Sequence, residues 1–173
     1  MNYHNIQKED MLNGSGIRVV LFVSGCTHNC ENCHNPQTHS FESGIKFDSN
    51  AFDEIVEELK KDYVSGLTLS GGDPLNENNV PEILNLCVRL KEMFPEKDIW
   101  CYTGYTWEEL RIRCVNESLL DILMDFYINV VVDGKFIEEL KDVSYPYAGS
   151  TNQRVIDVEK SIVNNHIVLW NNK

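Results

Sequence analysis

The sequence predicts an α/β fold: a partial (β/α) barrel or a curved, mostly parallel sheet with helices outside it. Three observations lead there. Strand-like runs of β-branched residues alternate with amphipathic helical runs. Loops carrying glycine, cysteine and aspartate follow the strand-like runs, where parallel α/β folds place their ligand sites. The chain has 173 residues, which suits a single domain and falls short of the ~250 of a full eight-stranded barrel.

The elements follow in order. "IRVVLFVSG" (17–25) reads as a buried first strand. "SNAFDEIVEELKKD" places Phe52, Ile55, Val56 and Leu59 on one helical face, with Glu54, Glu57, Glu58 and Lys61 on a solvated one. "SGLTLSGG" is a short second strand ending in glycines. "NVPEILNLCVRLKEMF" is a helix with Pro81 near its first turn, where no N–H is needed. "DIWCYTG" is the third strand. "TWEELRIRC" opens with Thr106 and Glu109 at capping-box spacing. "SLLDILMDF" is a short helix, "YINVVVDG" the fourth strand, and "KFIEEL" a helix start. "SYPYAGSTNQR" reads as a loop. "RVIDV" and "HIVLW" fit closing strands or a terminal helix equally well. If the strands are parallel, "GCTHNCENC", "GGDP", "TGYT" and "DGK" share one sheet edge and converge on one site.

Composition narrows the function. With 15 Lys+Arg against 27 Asp+Glu the net charge is −12, which disfavours nucleic acid or an anionic membrane as a partner through bulk charge. The N-terminus lacks the pattern of a signal peptide, and no apolar run is long enough to span a membrane, so cytoplasm is the expected compartment. In a reducing compartment, clustered cysteines read as metal-binding or catalytic rather than as a disulfide framework. Three of the six, Cys87, Cys101 and Cys114, are scattered through core-like positions.

The other three stand in "GCTHNCENCHNP" (25–36). Structural zinc would use Cys26, Cys30 and Cys33 with His28, His34 or His39 as a fourth ligand. "CENCH" formally matches a haem-attachment signature, yet such attachment belongs to exported proteins and leaves Cys26 unexplained. A dithiol pair of Cys30 and Cys33 also leaves Cys26 idle. A four-iron cluster uses all three thiolates and keeps one iron free of protein ligands, an open position for a substrate.

C-x3-C-x2-C behind a first strand is the signature of radical S-adenosylmethionine (SAM) enzymes, and "SGGDPL" (70–75) is similar to their glycine-rich SAM motif behind the second. "NYH", "LFVSGC", "LSGGDPL", "KDIW", "YTGY", "VDGKF" and "GSTNQR" together resemble the activating proteins of anaerobic ribonucleoside-triphosphate reductase, a family of radical SAM glycyl-radical activases. These stretches run from Asn2 to Arg154, leaving residues from about 155 to 173 as a C-terminal extension of a single radical SAM domain, 1–173.

The resemblance implies a radical SAM type of fold and a [4Fe-4S] cluster on Cys26, Cys30 and Cys33, its fourth iron chelating the amino and carboxylate groups of SAM. Reduction would cleave SAM to methionine and a 5′-deoxyadenosyl radical, which would take hydrogen from a glycine of the reductase. It implies that reductase as partner and a one-electron donor such as a flavodoxin. Gly71 and Gly72 would let backbone approach the methionine end of SAM, and Asp73 would add complementary charge or cap the next helix. Thr103 and Gly104 would line the same edge; Asp133 and Lys135 would bind the SAM carboxylate or ribose, or sit in a solvated loop. "GSTNQR" would close the site or touch the partner. Two positions depart from the family pattern. Asn32 stands where an aromatic residue often precedes the third cysteine, and His34 where tyrosine commonly follows it. His34 would stack on adenine and the backbone of Asn32–His34 would read its edge. Activation of another glycyl-radical enzyme, such as a formate lyase, is the near alternative; a non-catalytic zinc module is the distant one.

Overall fold

The computed structural model describes residues 1–171 as a seven-stranded sheet in the order β3-β1-β2-β4-β5-β6-β7. Its centre is parallel: β2 (Ile17–Val23), β4 (Val64–Gly71), β5 (Asp98–Tyr102) and β6 (Val130–Asp133) lie side by side in chain order. Adding each strand on the same side of the last keeps every right-handed crossover on one face. The five helices α1 (Ser49–Leu59), α2 (Val80–Met93), α3 (Trp107–Cys114), α4 (Ser118–Phe126) and α5 (Val158–Asn164) accordingly share one core with Val19, Leu21, Leu67, Leu69, Ile99 and Val131. The sheet is open, with β3 (Ile45–Lys46) and β7 (Arg154–Asp157) as edges, rather than rolled into a barrel.

Several expectations change here. The polar "NYHNIQKED" forms β1 (Asn2–Asp10), paired antiparallel with β2 and β3, so the cysteine loop follows the second strand and not the first. Its residues have low strand propensity; Tyr3 and Ile6, buried over the helical face, and the ladder to β2 hold it in place. "KFIEEL" yields only a 3₁₀ turn, Glu138–Leu140. Glu58 is buried, not solvated, because β1 brings Lys8 over α1 while Lys61 pairs with it at 2.6 Å. The undecided "RVIDV" is β7, antiparallel to β6, running into α5 at Asp157. "HIVLW" then returns beside β7 through a bridge between Ile156 and Leu169 and a bond from Trp170 N to Val155 O at 2.8 Å. The capping box of α3 forms as its spacing predicts: Thr106 Oγ1 accepts from Glu109 N and Glu109 from Thr106 N. Among the described residues no helix is long and apolar enough to cross a membrane.

The helix-free face has a floor of its own. Trp100 packs edge-on against Tyr147 and Trp170, with Val130 and Val132 beside it. Arg18, fully buried in β2, lies over the Trp100 ring at 5.3 Å. Its guanidinium donates to Thr68 Oγ1 (2.7 Å), Leu67 O (2.8 Å) and Ser15 O (3.1 Å), and Asp98 Oδ1 lies 2.7 Å away without an aligned hydrogen bond. Arg18→Met should therefore lower unfolding stability by about 2–4 kcal/mol, read from urea titration, because buried carbonyls lose their donors. Arg18→Lys should recover little of this, since a point charge on a flexible stem does not reproduce the planar fork.

Candidate functional site

The loops behind β2, β4, β5 and β6 and the segment entering β7 meet over one cavity of about 170 Å³. The β2 exit contributes Cys26, Cys30, Cys33 and His34; β4 contributes Ser70, Gly71 and Gly72. The β5 and β6 exits add Tyr102, Thr103, Gly104, Gly134 and Phe136, and Gly149 and Gln153 close the side. The shared edge expected from the parallel pattern is thus the edge observed.

The cysteine loop has a readable local logic. Gly25 has φ +95°, and a Cβ there would strike the Phe41 ring at 2.1 Å, so glycine is required to leave the strand. Asn29 and Asn32 both have φ +51°, each immediately before a cysteine. Asparagine tolerates this left-handed region better than other residues with a side chain. Between these turns Cys26, Cys30 and Cys33 all line the cavity, and Asn32 itself is exposed outside the cavity wall. A bond from Cys33 N to Cys30 O closes the second turn, and bonds from Gly25 N to Thr38 O (2.7 Å) and from Cys26 N to His39 O (3.0 Å) pin the loop's base.

All three thiols are free and half-buried. Burial pushes Cys26 up to about 11. Burial also raises Cys30, against the opposing pull of the Phe136 N–H and the Lys135 charge. Among the described residues, no three His, Cys, Asp or Glu side chains converge as ligands of one ion. Three unpaired thiols lining one cavity fit a multi-iron cluster, which thiolates would hold.

The glycines line the cavity and also serve a purpose the sequence did not suggest. A Cβ on Gly71 would lie 2.7 Å from Val23 N and O, and one on Gly72 would lie 2.5 Å from Gly25 O. The close approach they permit is of the β4 loop to the β2 exit. Bonds from Gly72 N to Val23 O and from Asp73 N to Gly25 O, both 2.8 Å, lace the two together.

Asp73 is fully buried and does not line the cavity. Its carboxylate accepts from Leu75 N, Thr103 Oγ1, Gly104 N and His28 Nε2, which leaves it occupied by the protein's own donors. Asp133 is likewise buried, accepting from Trp107 N at 2.7 Å and from the Arg154 backbone and guanidinium. Arg154 also pairs with Glu108, so "GSTNQR" latches β7 to the start of α3. Lys135 is exposed and outside the cavity wall. His34 stacks at a tilt on Phe136, ring centres 4.6 Å apart. Gln153 donates to Gly134 O at 2.8 Å and accepts from Gly149 N at 2.9 Å, which secures that side.

The latch makes a pH prediction. Arg154 and the helix start hold the Glu108 carboxyl down at about 2. A depressed folded pKa contributes stability above the unfolded value, near 4.5, and the contribution fades as pH falls through the folded one. An NMR titration should place the Glu108 midpoint well below the usual carboxylate range, and Arg154→Met should return it there.

Comparisons with known proteins bear on the same residues. The family model described as "4Fe-4S single cluster domain" matches residues 12–156. The chain is 44% identical over 157 residues to a protein of Escherichia coli (strain K12), covering 90% of this chain and 97% of that one. That relative is named anaerobic ribonucleoside-triphosphate reductase-activating protein. Proteins of the same name from Enterobacteria phage T4 (44% over 155 residues, 90% of this chain, 93% of that one) and Haemophilus influenzae (44% over 155 residues, 88% and 96%) are equally similar.

Proposed function

The chain belongs to the 4Fe-4S single cluster domain family and to the anaerobic ribonucleoside-triphosphate reductase-activating proteins, and from that premise we propose how its residues serve the activation. Cys26, Cys30 and Cys33 hold the [4Fe-4S] cluster. The observation that carries this reading is that all three line one cavity at the carboxyl edge of a parallel sheet, within the stretch matched by the 4Fe-4S single cluster domain model. Bound there, the cluster and SAM supply one-electron reductive cleavage of a sulfonium and, through it, removal of a hydrogen atom from a glycine of the reductase.

The chain's own part is placement. Gly71, Gly72 and Thr103 line the same cavity as the thiols with backbone and one small side chain, which suits the polar methionine end of SAM. His34 and Phe136, whose rings pack against each other, also line the cavity, which suits adenine. Asp73 and Asp133 hold the loops and leave the cavity itself without a carboxylate in its wall. The electron comes from a one-electron donor such as a flavodoxin. Nothing favours a formate lyase as the target, since each of the three relatives is named for the reductase. Protein reconstituted without oxygen should bind about four irons per chain and cleave SAM once reduced. A colourless protein that holds zinc and leaves SAM intact would overturn the reading.

A further inference from the structure

His28 lies between two of the cysteines and lines the cavity with them. Its Nε2 is 2.6 Å from Asp73 Oδ2, its side chain is 8% exposed, and its ring packs edge-on to Tyr105 at 4.4 Å. Room for the ring exists only because residue 104 is glycine: a Cβ there would lie 2.3 Å from His28 Cδ2. The bond is asymmetric in what it holds. Asp73 has three further donors, from Leu75 N at 2.9 Å, Thr103 Oγ1 at 3.0 Å and Gly104 N at 3.1 Å, so it stays fixed without His28. The arm between Cys26 and Cys30 is tied to the rest of the protein by neutral contacts at Thr27, from Asn76 Nδ2 at a long 3.4 Å and from Tyr105. It is tied internally by the His28 and Asn29 N–H groups at the Cys26 thiol. Among the described residues, His28 makes its one contact to a buried carboxylate.

We propose that His28 is a positioning residue for the cluster ligands, clamping the Cys26–Cys30 arm through Asp73 to the loop behind β5 so that the thiols stand in place before iron arrives. Asp73 is the fixed post and His28 the movable hook. Three strand-end loops are joined at one buried carboxylate, and a hydrogen bond to a charged, buried acceptor is the strong kind. The inference rests on the reading of the cysteines as cluster ligands, but the clamp itself is a property of the metal-free chain.

The test separates the two. In iron-free protein, amide exchange across residues 26–33 should quicken about tenfold or more in His28→Leu. It should return close to the wild-type rate in His28→Gln, whose amide N–H lies at the same distance along the side chain. In reconstituted protein, iron release to a chelator should quicken about tenfold in His28→Leu and recover in His28→Gln. Thr103→Val loosens the post without touching the arm and should leave exchange at 26–33 much less affected than His28→Leu does. Wild-type exchange in iron-free His28→Leu, or no rescue by glutamine, would overturn the clamp. Failure of wild-type protein to take up iron would instead overturn the cluster reading and leave the exchange result to decide the clamp.

Discussion

Cys30→Ala should fold normally and lose the cluster. Cys30 sits half-exposed in a loop and contributes nothing to either hydrophobic core, so its truncation leaves no buried cavity. Far-UV circular dichroism and the urea midpoint of the iron-free protein should match the wild type. Iron content after anaerobic reconstitution should fall from about four per chain to less than about one, and reductive SAM cleavage should fall by about a thousandfold or more. The control is Cys87, fully buried on the core face of α2 and not part of the cavity wall. Cys87→Ala should cost about 1 kcal/mol of stability through lost packing and keep its iron. Equal iron loss in both variants would mean that thiol assignment by position has failed.

The second large effect belongs to Gly71→Ala. The residue has φ +98°, and its added Cβ would meet Val23 N and O at 2.7 Å, both atoms being backbone that has no room to retreat. Conformational strain and the clash act together, so the expected cost is about 3 kcal/mol or more. The damage should also be functional, because the clash forces the β4 loop away from the exit that carries the cysteines. Gly134→Ala isolates the conformational part. That residue has φ +92°, but its Cβ would meet only Asn152 Nδ2 at 3.7 Å, an ordinary contact. Its cost should be about 1 kcal/mol, with iron uptake retained. Urea midpoints and iron content of the two variants, measured together, check both statements.

The difference between what the sequence discloses and what it hides follows from the range of the forces involved. Runs such as "IRVVLFV" and "YINVVVDG" are legible because burial on both faces leaves a continuous apolar record. The α3 capping box is legible because both partners lie within one turn. The convergence of the cysteine and glycine motifs is legible because parallel topology puts all strand exits on one edge. Other features are written in long-range contacts. β1 is polar and depends on its neighbours, and Glu58 is buried by a strand more than forty residues earlier in the chain. Asp73 and Asp133 follow strands and carry charge, which from sequence alone looks like ligand binding. Whether such a carboxylate faces a ligand or the protein depends on donors such as Gly104, His28 and Arg154, which no local spacing reveals. Asn32 is similar: where an aromatic was expected for adenine, the chain uses a residue suited to a left-handed turn.

The most direct test of the central claim is radical formation on the partner. The reconstituted protein is reduced with SAM, mixed without oxygen with the anaerobic ribonucleoside-triphosphate reductase, and read by electron paramagnetic resonance. The account predicts a glycyl-radical signal on the reductase that depends on SAM and is absent with Cys30→Ala. A reductase that stays silent while SAM is cleaved, or a signal that persists with Cys30→Ala, would contradict it.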